Sequence, residues 1–179
     1  MYICTLRLNQ FYDEYVSFLD VKENTIMDGS FAKLIYTAPT YTMNSVFLNL
    51  PLIIDTFTVS DQAHTQQYNS NSRSYIQTKY ALVHLSNTST ENTLCLQHLR
   101  EMENTVLNNY ANYYNTSHKH PIPSIANMLQ NGKCKVQIDA NLQQSPVEKQ
   151  QIILKLSGVW ENIHEYGIAF KLYCTNIIT

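Results

Sequence analysis

Residues Ile153 to Tyr173 read ILKLSGVWENIHEYGIAFKLY. At the front of this stretch Ile152, Leu154 and Leu156 alternate with Ile153, Lys155 and Ser157; at its back Ile168, Phe170, Leu172 and Cys174 alternate with Ala169, Lys171 and Tyr173. Successive side chains of a strand point to opposite faces, so a period of two marks a half-buried strand. The stretch therefore predicts two strands joined by a bent connection, GVWENIHEYG.

The same period recurs upstream. Cys134, Val136 and Ile138 alternate with Lys133, Lys135 and Gln137, and over Tyr75 to Leu85 the residues Ile76, Tyr80 and Leu82 stand opposite Tyr75, Lys79, Ala81, Val83 and Leu85. Phe31 to Thr37 and Tyr41 to Leu50 are rich in β-branched and aromatic residues and are divided by Ala38-Pro39; Leu52 to Val59 continues the sheet, and Tyr2 to Leu8 suggests a short opening strand. Between these strands one segment changes period. Cys95, Leu99, Met102, Val106, Tyr110 and Tyr113 recur at steps of three and four, with Arg100, Glu101, Glu103, Asn104 and Asn108 on the other side, which predicts a helix over Glu91 to Tyr114. Thr88 and Glu91 have the spacing of a capping box at its start. Asn115 to Pro123 ends the helix, Ser124 to Gln130 forms one or two further turns, and Gly132 stops them. Ser60 to Ser74 is polar and reads as a solvated loop. The expectation is one β-rich α+β domain over residues 1–179, its strands interrupted by one long helix (about 91–114).

Composition narrows the function. With 44% hydrophobic and only 15% charged residues, 179 residues are enough to bury a core, and 13 tyrosines against four glycines favour sheet. The net charge of −2 supplies no global attraction to nucleic acid, so any basic site must be local. Cys4, Cys95, Cys134 and Cys174 are scattered, without a CxxC pair, and read as buried thiols of a reducing compartment. The start MYICTLRLNQFYDEY does not resemble a secretory signal, and no run approaches the roughly 20 apolar residues of a membrane span. An intracellular protein, cytoplasmic or nuclear, without a membrane partner is expected. No G-x-S-x-G, glycine-rich phosphate loop, H-E-x-x-H or paired-carboxylate motif occurs, so neither enzymatic activity nor a cofactor is expected. His118 and His120 flank Lys119 with no third ligand nearby, and no metal site is assigned to them.

The candidate site residues follow from strand parity. Single strands of nucleic acid are held by a locally basic groove and by aromatic faces on which bases stack. Lys133, Lys135, Lys155, Lys171 and Tyr173 fall opposite the apolar stripe of their strands, and Lys79 alternates with Ile76 and Tyr80, although its own face also carries Ala81 and Val83. Solvent-facing lysines on any half-buried sheet would show the same pattern strand by strand. Tyr75 and Tyr166 are the candidate stacking residues, and Arg73 at the end of the polar loop could reach a phosphate. Trp160 completes the candidate set, though a lone tryptophan beside Gly158 serves more often as a core or bend anchor.

The stretch around Trp160 carries a resemblance. It fits a pattern of roughly I-x-K-[IL]-S-G-[IV]-W-E, a polar spacer, then Y-G-[IL]-x-[FY]-K, which is similar to the carboxyl-terminal part of single-stranded-DNA-binding proteins of large double-stranded DNA viruses and related mobile elements. HLREMENTVLNNY, HPIPSIANML and GKCKV are similar to that group's helix, connection and following strand, so the resemblance covers about the second half of the chain. It implies an OB-like barrel with an interrupting helix, and a viral or virus-derived role coating single-stranded DNA during replication. Replication proteins and further copies of the chain would be its other partners. Phage-type members end in an acidic tail, whereas this chain ends CTNIIT, which sets recruitment through a tail in doubt. The alternative is a non-enzymatic protein-interaction or structural viral module, whose Tyr- and Asn-rich surface contacts another protein.

Overall fold

The computed structural model describes residues 4–60, 79–86, 88–138 and 150–176. It is strand-rich, with a mixed sheet packed against one long helix. The strands in chain order are β1 (Leu6–Arg7), β2 (Val16–Phe18), β3 (Lys22–Glu23), β4 (Ser30–Ala38), β5 (Tyr41–Asn44), β6 (Val46–Leu50), β7 (Ile54–Ser60), β8 (Lys79–Leu85), β9 (His120–Ile122), β10 (Lys133–Ile138), β11 (Gln150–Glu161) and β12 (Glu165–Asn176); the helices are α1 (Thr90–Tyr114) and α2 (Ile125–Gln130). The main path through the sheet runs β1-β6-β11-β12-β10-β8-β7. The sheet is open: among the described residues β1 and β7 stand at its two ends without pairing to each other.

The predicted strand pair of the last third is present and longer than the alternation suggested. β11 and β12 continue through most of the expected connection, leaving Asn162 to His164 as the turn, where the Asn162 side chain accepts from the backbone of His164 and Glu165. A bulge makes this extension invisible to a simple period. Leu156 pairs with Phe170, but Gly158 pairs with Ala169, so Ser157 is the extra residue and side-chain parity shifts after it. The bulge also divides β11 between neighbours: Ile152–Leu156 pairs with β6 and Gly158–Glu161 with β4.

The strand predicted over Tyr41 to Leu50 is split at Ser45, which has φ 76° and hands the chain from β5 to β6. At the amino terminus the expected strand, among the described residues, covers Leu6–Arg7 before the chain tightens into a 3-10 turn. The face assigned to β8 is inverted: Ala81, Val83 and Leu85 are buried, while Leu82 is exposed. Alternation reported a strand here, but apolar residues lie on both parities, and only packing distinguishes them. The polar stretch 61–78 lies outside the described residues.

α1 covers the buried side of the sheet with Cys95, Leu99, Met102, Val106, Leu107 and Tyr110. Its N-cap is Ser89, not Thr88; the Ser89 hydroxyl accepts from the Asn92 backbone N–H and donates to Glu91. Asn92 ties this end of the helix to the sheet, accepting from the Ile53 N–H and donating to the Ile53 and Ser86 carbonyls. Two positions depart from the predicted stripe. Tyr113 is 70% exposed, and Glu103, expected on the solvent side, is fully buried. The Glu103 carboxylate accepts the backbone N–H groups of Ile125 and Ala126 at the start of α2, satisfying donors that a helix start leaves unpaired.

Candidate nucleic-acid interface

The register fixes which side chains share the sheet face opposite α1. Leu154 and Leu172 are partners and both are buried, so the next pair along, Lys155 and Lys171, points to the other side. Lys155 is also the partner of Phe47 on β6, and its Nζ lies 5.4 Å from the Phe47 ring centroid. One row over, Ile153, Tyr173, Gln137 and Tyr80 are partners in succession across β11, β12, β10 and β8. Lys135 stands two residues before Gln137, exposed, with its Nζ 4.3 Å over the Tyr80 ring. Lys133 is exposed opposite His84, and exposed Arg7 extends the face beyond Asn49 at the β1 edge.

The electrostatics of this face differ from those of the whole chain. Lys155 and Lys171 are directly cross-strand, an arrangement in which like charges destabilise a sheet. Among the described residues, none of Lys133, Lys135, Lys155 and Lys171 forms a salt bridge. Several acidic residues lie on the helix side: Glu91, Glu101 and Glu103 on α1, Asp13 and Glu14 beside it, and Glu161, which accepts from the Tyr110 hydroxyl and from Lys119. Burial, with neighbouring Tyr80 as a smaller cause, pushes the Tyr173 phenol above its ordinary value.

Five of the predicted residues, Lys133, Lys135, Lys155, Lys171 and Tyr173, thus come together on one face, and the bulge adds a sixth. After Ser157 the parity shift turns Trp160 to the lysine side, within β11 and not in a connecting bend. Tyr166 is a correction. It is 3% exposed, its ring stacked 5.9 Å from that of Tyr110 on the helix side, and no base can reach it. Lys79 is a second correction: it pairs with buried Ile138 on the inward parity of β8. Arg73 and Tyr75 lie outside the described residues. Among the described residues no cluster of metal-ligating side chains occurs at His118 and His120 or elsewhere. Tyr80, Phe47 and Arg7 were missed, the first because its strand's faces were inverted, the second because Phe47 counted only as apolar among Val46 and Leu48.

The motif residues around Trp160 hold the hairpin together. Ser157 forms the bulge, and Glu161 receives Tyr110 from α1 and Lys119 from the connection after it. Lys119 also donates to the Asn162 carbonyl, fixing the β11–β12 turn. Gly158 and Gly167 lie where a side chain would strike Phe31 and Trp160, respectively.

No protein-family model, curated protein or solved structure matches the chain. What the fold and this surface define is an α+β domain with an open mixed sheet, one face sealed by a helix and the other basic and aromatic. Among the described residues no helix is long and apolar enough to cross a membrane.

Proposed function

We propose that this protein binds single-stranded DNA across the open face of the sheet, without catalysis, tolerating many sequences. The observation that carries this is the Lys155–Lys171 pair, joined on the same face by Lys135 over Tyr80. Like charges at directly opposed strand positions cost folding energy, and a phosphate backbone running along them converts that cost into binding. Aromatic rings interleaved with the cations supply surfaces for unpaired bases, a sequence-tolerant contact. An exposed sheet face suits an extended strand, whereas duplex bases are hidden in their stack.

The OB-like architecture implied by the resemblance belongs to the same proposal. β11 bends at Ser157 and changes neighbour from β6 to β4, as corner strands do in small barrels. A replication role in a virus or mobile element would follow, with replication proteins and further copies of the chain as partners.

The test is a titration of labelled single-stranded oligonucleotide, followed by anisotropy at low and moderate salt with duplex as competitor. Salt-sensitive binding that duplex fails to displace is expected. No binding at low salt would overturn the proposal and favour a surface that meets another protein.

A further inference from the structure

We infer that Phe31 and Trp160 form a base-stacking platform, laid on the sheet by Gly158 and Gly167, at one end of the lysine face. The inference rests on the single-strand-binding proposal and locates where unpaired bases are read as bases instead of as the carriers of phosphates. Phe31 and Trp160 are direct cross-strand partners between β4 and β11, and Trp160 is in turn the partner of Gly167 on β12. Their neighbours Ala32, Val159 and Ile168 are fully or almost fully buried, which turns both rings to the side away from α1.

The glycines determine how these rings lie. A Cβ built on Gly167 would stand 2.7 Å from Cζ2 and 2.9 Å from Cε2 of Trp160, so the indole occupies the space above that residue. A Cβ on Gly158 would stand 2.5 Å from Cζ of Phe31. Each ring is therefore pressed onto bare backbone, and each is only half-buried, leaving ring surface to solvent. Neither ring inserts into the core; both lie on the opposite side of the sheet from it.

Cations surround the pair. Lys22 is the partner of Phe31 on β3, Lys33 is the partner of Gly158, and Lys171 lies two residues beyond Ala169 on β12; all three lysines are exposed. Glu165, two residues before Gly167, marks the limit of the basic character along β12. Aromatic faces bordered by ammonium groups are the recognition chemistry of single strands: bases stack while phosphates meet the cations.

Trp160 is the chain's single tryptophan, so its emission reports this position alone. The experiment uses the full chain and an oligothymidylate of about 16 nucleotides, the upper end of site sizes for one small domain, with duplex of equal length as a control. Expected are a change in Trp160 emission that saturates with anisotropy, none with duplex, and weakening of single-strand binding by about 5- to 150-fold in Trp160→Ala. Phe31→Leu, which keeps the apolar cover of Gly158, should weaken binding as well.

If oligothymidylate binds and Lys155→Glu/Lys171→Glu abolishes that binding, while Trp160 emission stays fixed and Phe31→Leu binds normally, the platform is overturned and the lysine face stands. If the wild-type chain binds no oligothymidylate, both fall. Should Trp160→Ala fail to fold, the wild-type emission and Phe31→Leu still decide.

Discussion

The two faces of the sheet are built from alternate residues of the same strands, yet they satisfy their polar groups in opposite ways. On the helix side three polar intrusions are well partnered: Glu103 accepts two backbone donors, Asn92 makes three contacts with Ile53 and Ser86, and Glu161 is shared by Tyr110 and Lys119. On the open side Lys155 faces Lys171, and among the described residues Lys135 and Lys155 lie near aromatic rings and form no salt bridge. Paired burial is what folding requires. Unpaired like charge opposes folding, and under the proposed function the open side is the one that meets the strand.

Substitutions on the two sides should therefore separate cleanly. The largest effect is expected from Lys155→Glu/Lys171→Glu, which should weaken oligonucleotide binding on the order of 100-fold, because a strand loses two attractions and gains two repulsions. The thermal midpoint of that variant should hold, since one like-charge pair replaces another; a drop matching the binding loss would mean the lysines serve the fold. Glu103→Ala should do the reverse. It leaves two buried N–H groups unpaired and should cost on the order of 3 kcal/mol in denaturant unfolding, while the folded protein binds oligonucleotide as before.

A smaller effect sharpens the contrast through pH. Burial, the main cause, raises the Glu103 carboxyl above its ordinary value and outweighs the lowering by the Ile125, Ala126 and Ser124 backbone donors and by Arg100. The folded state then holds its proton more tightly than the unfolded chain. This contribution to stability is fully present below the ordinary carboxylate value and is lost as pH rises through the raised one. Glu103→Gln should flatten that part of the stability profile; an unchanged profile would place the pH dependence elsewhere.

How much of this was legible in the sequence depended on whether a period survived. α1 and the β10, β11 and β12 strands kept theirs, and the lysines opposite Cys134, Leu154 and Leu172 came out on one side as alternation requires. β8 lost its direction because Tyr80 and Leu82 are as apolar as Ala81 and Val83. The Ser157 bulge broke parity without any change of composition, so Trp160 could not be placed; Tyr166 was read as part of the connection, although it continues the buried parity of Ile168 and Leu172 on β12. Edge strands such as β2 and β3, at two or three residues, are too short to carry a period. Glu103 was unreadable for another reason: its partners are the backbone of α2, 22 and 23 residues away, and no side-chain pattern announces them.

The central claim is that lysines of the open face neutralise phosphates, and the salt dependence of binding measures this directly. For single strands each neutralised phosphate contributes about 0.7 to the slope of log affinity against log salt. Replacing Lys155 and Lys171 together by glutamine should reduce the slope by about 1.4 while leaving the far-UV circular dichroism spectrum unchanged. An identical slope in the folded double variant would contradict the account and move the binding surface away from this face.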